Sequence, residues 1–147
     1  MEDLNKFYQD FMAQATEEAE LNDRHVEDVL TENIIEYIKE SNETNSPEII
    51  HIYPDSDAIK KKDSFKINAF DYSDIAGELD IFVSILKPSE KPENIPHNEI
   101  DATISQGMKF INLSVSGILS KMFRNSHPEF AEVADMIHEE YLAKNIN

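Results

Sequence analysis

Two strand-like runs separated by only five residues constrain the fold of this chain more than any other feature. Residues 65–72 (FKINAFDY) and 78–86 (ELDIFVSIL) are rich in β-branched and aromatic residues. In the second run, aliphatic residues alternate with Asp80, Phe82 and Ser84, which is the period of a half-buried strand. The linking residues, SDIAG, are short enough for a hairpin, so we predict that the two runs pair antiparallel.

Apolar residues at helical spacing predict two helices before these strands. A second helix, capped by Asn22 or Asp23, is predicted to run to about Ser41, where a turn cluster ending in Pro47 stops it. A short apolar strand follows at residues 48–53 (EIIHIY), and a polar loop at residues 54–62. The first helix carries its apolar face on Leu4, Phe7, Tyr8, Phe11 and Ala15.

Two further helices are predicted after the strands. Prolines repeat through residues 87–99, so this segment should be an extended loop. One long apolar stripe runs from Ile100 to Met122 in a helix capped by Asn98 and Asp101, and a capping-box pattern at Ser126 starts the last helix. The predicted order is α-α-β-β-β-α-α in a single α+β domain over residues 1–147, with a three-stranded, mainly antiparallel sheet covered by about four helices.

Composition narrows the classes of function. The formal net charge is −17, and residues 1–48 alone hold 14 acidic and 3 basic residues, a net of −11. Such a surface repels phosphate backbones, so direct binding of nucleic acid by this domain is not expected. The chain has no cysteine, no signal-peptide pattern and no apolar run long enough to span a bilayer. We therefore expect a cytoplasmic protein without membrane contacts.

Few residue patterns in the chain could support catalysis. Three glycines cannot build a phosphate-binding loop, and the five histidines lack the spacing of a zinc site. His51, on a predicted strand, is expected to be a partly buried, hydrogen-bonded residue. Carboxylates remain, and these suit Mg²⁺ or Mn²⁺. The candidates are Glu32 on the second helix and Glu78 or Asp80 on the third strand, although each also fits an ordinary surface acid.

Three stretches resemble the N-terminal domain of the abortive infection phage resistance protein family. They are residues 30–38 (LTENIIEYI), residues 65–86 (FKINAFDYSDIAGELDIFVSIL) and residues 107–119 (GMKFINLSVSGIL), the last followed by HPEFAEVADMI. The order of elements also resembles the core of restriction-endonuclease-like, or PD-(D/E)XK, nucleases. The resemblance implies a role in bacterial defence against phage, as the N-terminal module of a longer protein.

The resemblance also implies a degenerate active site. Glu32 stands where the helix acid of the nuclease core is expected, and Asn68 stands where that pattern has an aspartate. Asp80 would be the second strand acid, and Glu32 and Asp80 would be the metal ligands, but Phe82 occupies the position of the expected lysine. The resemblance thus implies a nuclease-like fold with an incomplete catalytic set and no required cofactor.

Three functions follow as alternatives. The leading one is a phage-defence module that is non-catalytic by itself and acts in sensing, scaffolding or self-association. It would bind a protein partner or further domains of the same chain, or form a homo-oligomer through the helix between Ile100 and Met122. The second is an active nuclease using Mg²⁺ or Mn²⁺, in which Lys66 or Lys87 replaces the missing lysine. The third is an acidic inhibitor that mimics DNA, motivated by the net charge of −17.

Overall fold

The computed structural model describes residues 2–44, 46–52, 65–73, 75–87 and 89–144. The predicted loop at residues 54–62 lies outside these ranges. The described residues form an α+β fold in which three strands follow two helices and precede three more. The elements are α1 (Glu2–Leu21), α2 (Val26–Glu40), β1 (Glu48–Ile52), β2 (Ile67–Ser73), β3 (Glu78–Phe82), α3 (His97–Val115), α4 (Ile118–Phe123) and α5 (Pro128–Leu142).

The three strands form one antiparallel sheet in the order β1-β2-β3. The predicted hairpin is confirmed: β2 pairs with β3 from Ala69 opposite Phe82 to Ser73 opposite Glu78. Residues 67–71 of the central strand are all buried. Both faces of this strand are therefore covered, including its polar residues Asn68 and Asp71.

The prediction that the third strand continues to residue 86 is wrong, because β3 ends at Phe82. The backbone N–H of Ser84 donates to the side-chain Oδ1 of Asn68 at 2.9 Å. A side chain thus takes the place of a strand carbonyl, and the regular ladder stops. Further on, Leu86 packs with residues of α1 and α2.

Two separate hydrophobic clusters stabilise the fold. The larger lies between the sheet and α3, α4 and α5, and includes Phe65, Phe110 and Ile137, each almost completely buried. The smaller joins α1 to α2 through Ala15, Ala19, Val29 and Leu30. Tyr8 of α1 also donates a hydrogen bond to the carbonyl of Ser89 at 3.1 Å, which ties α1 to the loop after β3.

The helix predicted from Ile100 to Met122 is interrupted, and that prediction is wrong in its extent. Gly117 adopts φ +80°, a left-handed conformation that ends α3 and begins α4. The apolar stripe continues in the sequence across the break, so periodicity alone does not reveal it. Three helices therefore follow the sheet instead of two.

Helix starts also differ from the predicted caps. Asp23 has φ +51°, and the Asn22 side chain donates to the carbonyl of Glu18, so both residues belong to the end of α1. α2 instead begins after His25, whose side chain makes no capping bond. α5 begins after His127 and not after Ser126, with Pro128 in its first turn.

Candidate functional site

A cluster of charged and polar side chains lies where α2 packs against the sheet. Residues 27, 28, 31 and 32 lie on one side of this helix, because residues three or four positions apart are neighbours on a helical surface. The cluster also draws on the turn before α2, on β1, on the start of β2 and on the segment after β3. We call it the α2–sheet cluster, and its charged or amide members are Arg24, Glu27, Asp28, Glu32, His51, Lys66 and Asn68.

Arg24 holds the carboxylate of Glu32. Its guanidinium donates to both carboxylate oxygens, with Nη1 lying 3.0 Å from Oε2. This two-bond geometry is the strongest arrangement between these groups. The Arg24 hydrogen bonds are the main reason that the pKa of Glu32 lies below its usual value, and those same bonds raise the pKa of Arg24. Glu32 is therefore ionised and already neutralised by a neighbour.

His51 of β1 lies at the centre of the cluster. Its Nδ1 is 3.3 Å from a carboxylate oxygen of Asp28 and 3.4 Å from Nδ2 of Asn68, while its Nε2 is 3.7 Å from Glu32. The ring is partly buried and hydrogen-bonded, which confirms the prediction for this residue. His51 therefore links the acids of α2 to the central strand.

Asn68 and Lys66 connect the cluster to the segment after β3. Asn68 is completely buried, and besides facing His51 it accepts the hydrogen bond from the N–H of Ser84. Lys66 forms an ion pair with Glu27 and donates to the carbonyl of Ser84 at 2.8 Å. Each of these contacts satisfies a group that burial would otherwise penalise.

The structure brings together two of the three predicted site residues. Glu32 and Asn68 both approach His51. Asp80 is exposed and pairs across the hairpin with Asp71, three residues along β2 from Asn68, which is roughly 10 Å of strand. Because side chains alternate along a strand, Asn68 and Asp71 point to opposite faces of the sheet, and Asp80 shares the face of Asp71. Asp80 therefore does not join Glu32 and Asn68.

The two lysines predicted as replacements for the missing lysine lie in different parts of the structure. Lys66 belongs to the cluster, whereas Lys87 pairs with Glu93 at 3.7 Å. Phe82, in place of the expected lysine, is level with Ala69 on β2. Among the residues that the structure describes, no group of three or more histidine, aspartate or glutamate side chains has the arrangement of a metal site. Coordination by Glu32 and Asp80 stays a prediction.

A cavity of about 570 Å³ opens beside the cluster. It is lined by His25, Glu27, Asp28, His51, Lys66, His127 and Phe130. The cluster combines three carboxylates with the permanent cations of Arg24 and Lys66, so its charges nearly cancel. An arrangement of this kind can orient neighbouring backbone segments and resist the entry of another charge.

Sequence reasoning missed Arg24, Glu27 and Asp28, and it named Lys66 only as a replacement for the missing lysine. A signal for part of this set exists, since Arg24, Asp28 and Glu32 recur every four residues along one helical face. The strand residues that meet this face lie far along the chain, and no local pattern reports such a pairing.

Comparisons with known proteins identify one family. A family model described as the abortive infection phage resistance protein N-terminal domain matches residues 30–147. No curated protein and no solved structure gives a match. In the described part of the chain, no helix is long and apolar enough to cross a membrane.

Proposed function

Because the chain belongs to the abortive infection phage resistance protein N-terminal domain family and has a role in that resistance, we propose that it is a nuclease-like module that is non-catalytic by itself. The nuclease-like part of the proposal rests on an acid-bearing helix, a three-stranded antiparallel sheet and a following helix in that order. The non-catalytic part rests on the α2–sheet cluster.

One observation carries the proposal: the helix acid expected to bind metal is already bound by Arg24. A divalent cation at Glu32 would have to displace a guanidinium that makes two hydrogen bonds to the same carboxylate. It would also meet the neutral amide of Asn68 in place of a strand carboxylate. Since Mg²⁺ and Mn²⁺ sites in phosphodiesterases depend on several converging acids, this arrangement favours a structural role for the cluster.

Calorimetric titration with Mn²⁺ tests the proposal. We expect no saturable binding to the wild-type protein, to Glu32→Gln or to Asp80→Asn, and no cleavage of DNA or RNA by any of them. Glu17→Gln, which alters an exposed acid of α1, serves as the matched control. One-site Mn²⁺ binding that Glu32→Gln loses and Glu17→Gln keeps would overturn the proposal.

An active nuclease using Mg²⁺ or Mn²⁺ is the second candidate, and the position of Lys66 favours it. This lysine lies in the same cluster as Glu32, where an amine could stabilise the charge that develops on a phosphate. On this alternative, metal-dependent cleavage would be abolished by Lys66→Met and by Glu32→Gln. Cleavage that survives both changes would indicate a contaminating nuclease and would exclude this site.

We further propose self-association through α3 as the way in which the module acts. Ile104 and Met108, one turn apart, are 53% and 50% exposed. Residues 97–115 carry two acidic and one basic residue, so two copies of this helix would repel each other little. Analytical ultracentrifugation should show a dimer that Ile104→Ser with Met108→Ser converts to a monomer. A monomeric wild-type protein would exclude this mode of action.

A further inference from the structure

α1 and α2 together expose a row of aromatic rings. Phe7 stacks on Phe11 with ring centroids 5.8 Å apart, and Phe11 contacts Tyr37 of α2 at 6.4 Å. The side chains of Phe7 and Tyr37 are 58% and 57% exposed, although large aromatic side chains are usually mostly buried. We call Phe7, Phe11 and Tyr37 the aromatic row. Leu4 and Ile34 extend it with further exposed apolar surface.

The row is continuous, which distinguishes it from scattered surface residues. Positions 4, 7 and 11 follow one face of α1, and positions 34 and 37 follow one face of α2. Ring contacts join the two faces across the helix pair. A contiguous apolar patch of this kind marks an interaction surface, whereas single exposed residues do not.

The small hydrophobic cluster explains why the row stays exposed. α1 buries Ala15 and Ala19 against Val29 and Leu30 of α2, toward the C-terminal part of α1. Small side chains at this contact hold the helices together there. In the N-terminal half of α1, Phe11 packs partly against this cluster, whereas Phe7 remains exposed. Phe7 and Tyr37 therefore belong to neither hydrophobic cluster.

Carboxylates surround the aromatic row. A cavity of about 250 Å³ lies next to Phe11 and Tyr37, and its other walls include Glu36 and Glu40. Asp10 adds an exposed acid on α1. Glu36 pairs with Lys39 at 3.6 Å, but this pair is exposed, so water and competing cations weaken it. A lysine or arginine entering the cavity would meet ring faces and negative charge together.

Charge also decides between the possible occupants. A second copy would bring the same net charge of −11 over residues 1–48, and acidic nucleic acid or lipid headgroups would be repelled as well. α1, which carries Phe7 and Phe11, lies outside residues 30–147, the part of the chain that the family model matches. We propose that the α1–α2 pair binds a basic, amphipathic helix of a partner protein through the aromatic row.

A synthetic peptide provides the probe for this proposal. It is a helix of about 18 residues with leucines on one face and lysines elsewhere, and in its control every lysine is replaced by glutamate. Fluorescence anisotropy of the labelled lysine peptide should report saturable binding. The affinity should fall as NaCl is raised from about 50 to about 300 mM, and the glutamate peptide should not bind.

Matched protein variants locate the binding surface. Phe7→Ala with Tyr37→Ala should weaken peptide binding at least about tenfold, because rings of this kind dominate interface energies. Tyr141→Ala with Leu142→Ala removes two apolar side chains of α5 that are 46% and 65% exposed, and should leave the affinity within about twofold. Glu36→Lys with Glu40→Lys keeps every ring and should weaken binding to a similar extent.

Two results would overturn the proposal. The first is unchanged affinity in both the aromatic and the charge-reversal variants, each verified as folded by circular dichroism. If the aromatic variant fails to fold, the charge-reversal variant alone decides. The second is a wild-type dimer in ultracentrifugation that Phe7→Ala with Tyr37→Ala abolishes, since the row would then be covered by a second copy. Neither result depends on metal binding at the α2–sheet cluster.

Discussion

Replacing Asn68 by aspartate gives the sharpest test of the α2–sheet cluster. The substitution is nearly isosteric and restores the acid that the nuclease pattern has at this strand position. The new carboxylate can still accept the hydrogen bond from Ser84, which now goes to Oδ1 of Asn68. It cannot reproduce the Nδ2 that lies 3.4 Å from His51. The change therefore adds one buried negative charge and removes the amide group that faces His51.

The magnitude follows from burial and from the charges already present. Asn68 is completely buried, beside a cluster whose three carboxylates exceed the permanent cations Arg24 and Lys66. An uncompensated buried charge costs roughly 3–5 kcal/mol, and because Lys66 lies in the same cluster we expect the lower figure, about 3 kcal/mol near neutral pH. Burial and neighbouring acids should raise the pKa of the new carboxyl above its unfolded value of about 3.9.

The sign of the pH dependence follows from this raised pKa. Protonation is favoured in the folded variant, so its deficit relative to wild type is smallest below about pH 4 and grows as the pH rises through the raised value. Urea unfolding followed by circular dichroism at about pH 5 and about pH 8 measures the deficit at each pH. Asn112→Asp makes the same change on the exposed side of α3 and should cost under about 0.5 kcal/mol.

A variant Asn68→Asp as stable as wild type at alkaline pH would refute this reasoning. The cluster would then accept a fourth carboxylate without cost, which is the behaviour of a site prepared for a cation. In that case the neutral amide of Asn68 would no longer argue against a metal site, and added Mn²⁺ should stabilise the variant more than the wild-type protein.

Three further predictions concern single contacts. Arg24→Ala should lower the free energy of unfolding by about 0.5–1 kcal/mol, since the side chains of this pair are about a third exposed. Because the pKa of Glu32 is lowered, this difference should be complete above pH 4.5, and in urea titrations it should be lost as the pH falls below 4.5 through the lowered pKa. Gly117→Ala should cost about 1 kcal/mol in a thermal melt because of its φ of +80°, and Gly117→Asn should cost less; equal costs would contradict a conformational cause. Phe110→Ala should cost about 3–5 kcal/mol by urea unfolding, and a cost below about 1 kcal/mol would contradict its place in the larger cluster.

The parts of the fold that local signals determine were predictable. The linker SDIAG and the strand period on either side of it predict the β2–β3 hairpin, and the structure confirms it. Apolar periodicity likewise predicts the helical faces. The break between α3 and α4 at Gly117 was not predicted, because the sequence does not show which backbone conformation a glycine within an apolar stripe adopts. The end of β3 at Phe82 was not predicted, because it depends on a hydrogen bond that the N–H of Ser84 donates to the side chain of the distant residue Asn68.

Only those site residues that stand at positions of the nuclease pattern could be predicted from the sequence. Glu32 and Asn68 could be selected by position, and both contact His51. Asp80 could not be placed in advance, because shifting a strand by one residue moves every side chain to the other face. Arg24 and Lys66, which neutralise the cluster, are ordinary basic residues in the sequence. Their role depends on which acids tertiary packing brings near them.

The separation of the two hydrophobic clusters has a consequence for how the molecule opens. α1 draws its apolar contacts from the smaller cluster, so it can detach while the sheet and its helices remain intact. Amide protons of α1 should then exchange through a sub-global opening, and those of the buried strand β2 only when the whole chain unfolds. We therefore expect the helix that carries two of the three rings of the aromatic row to open as a cooperative unit of its own.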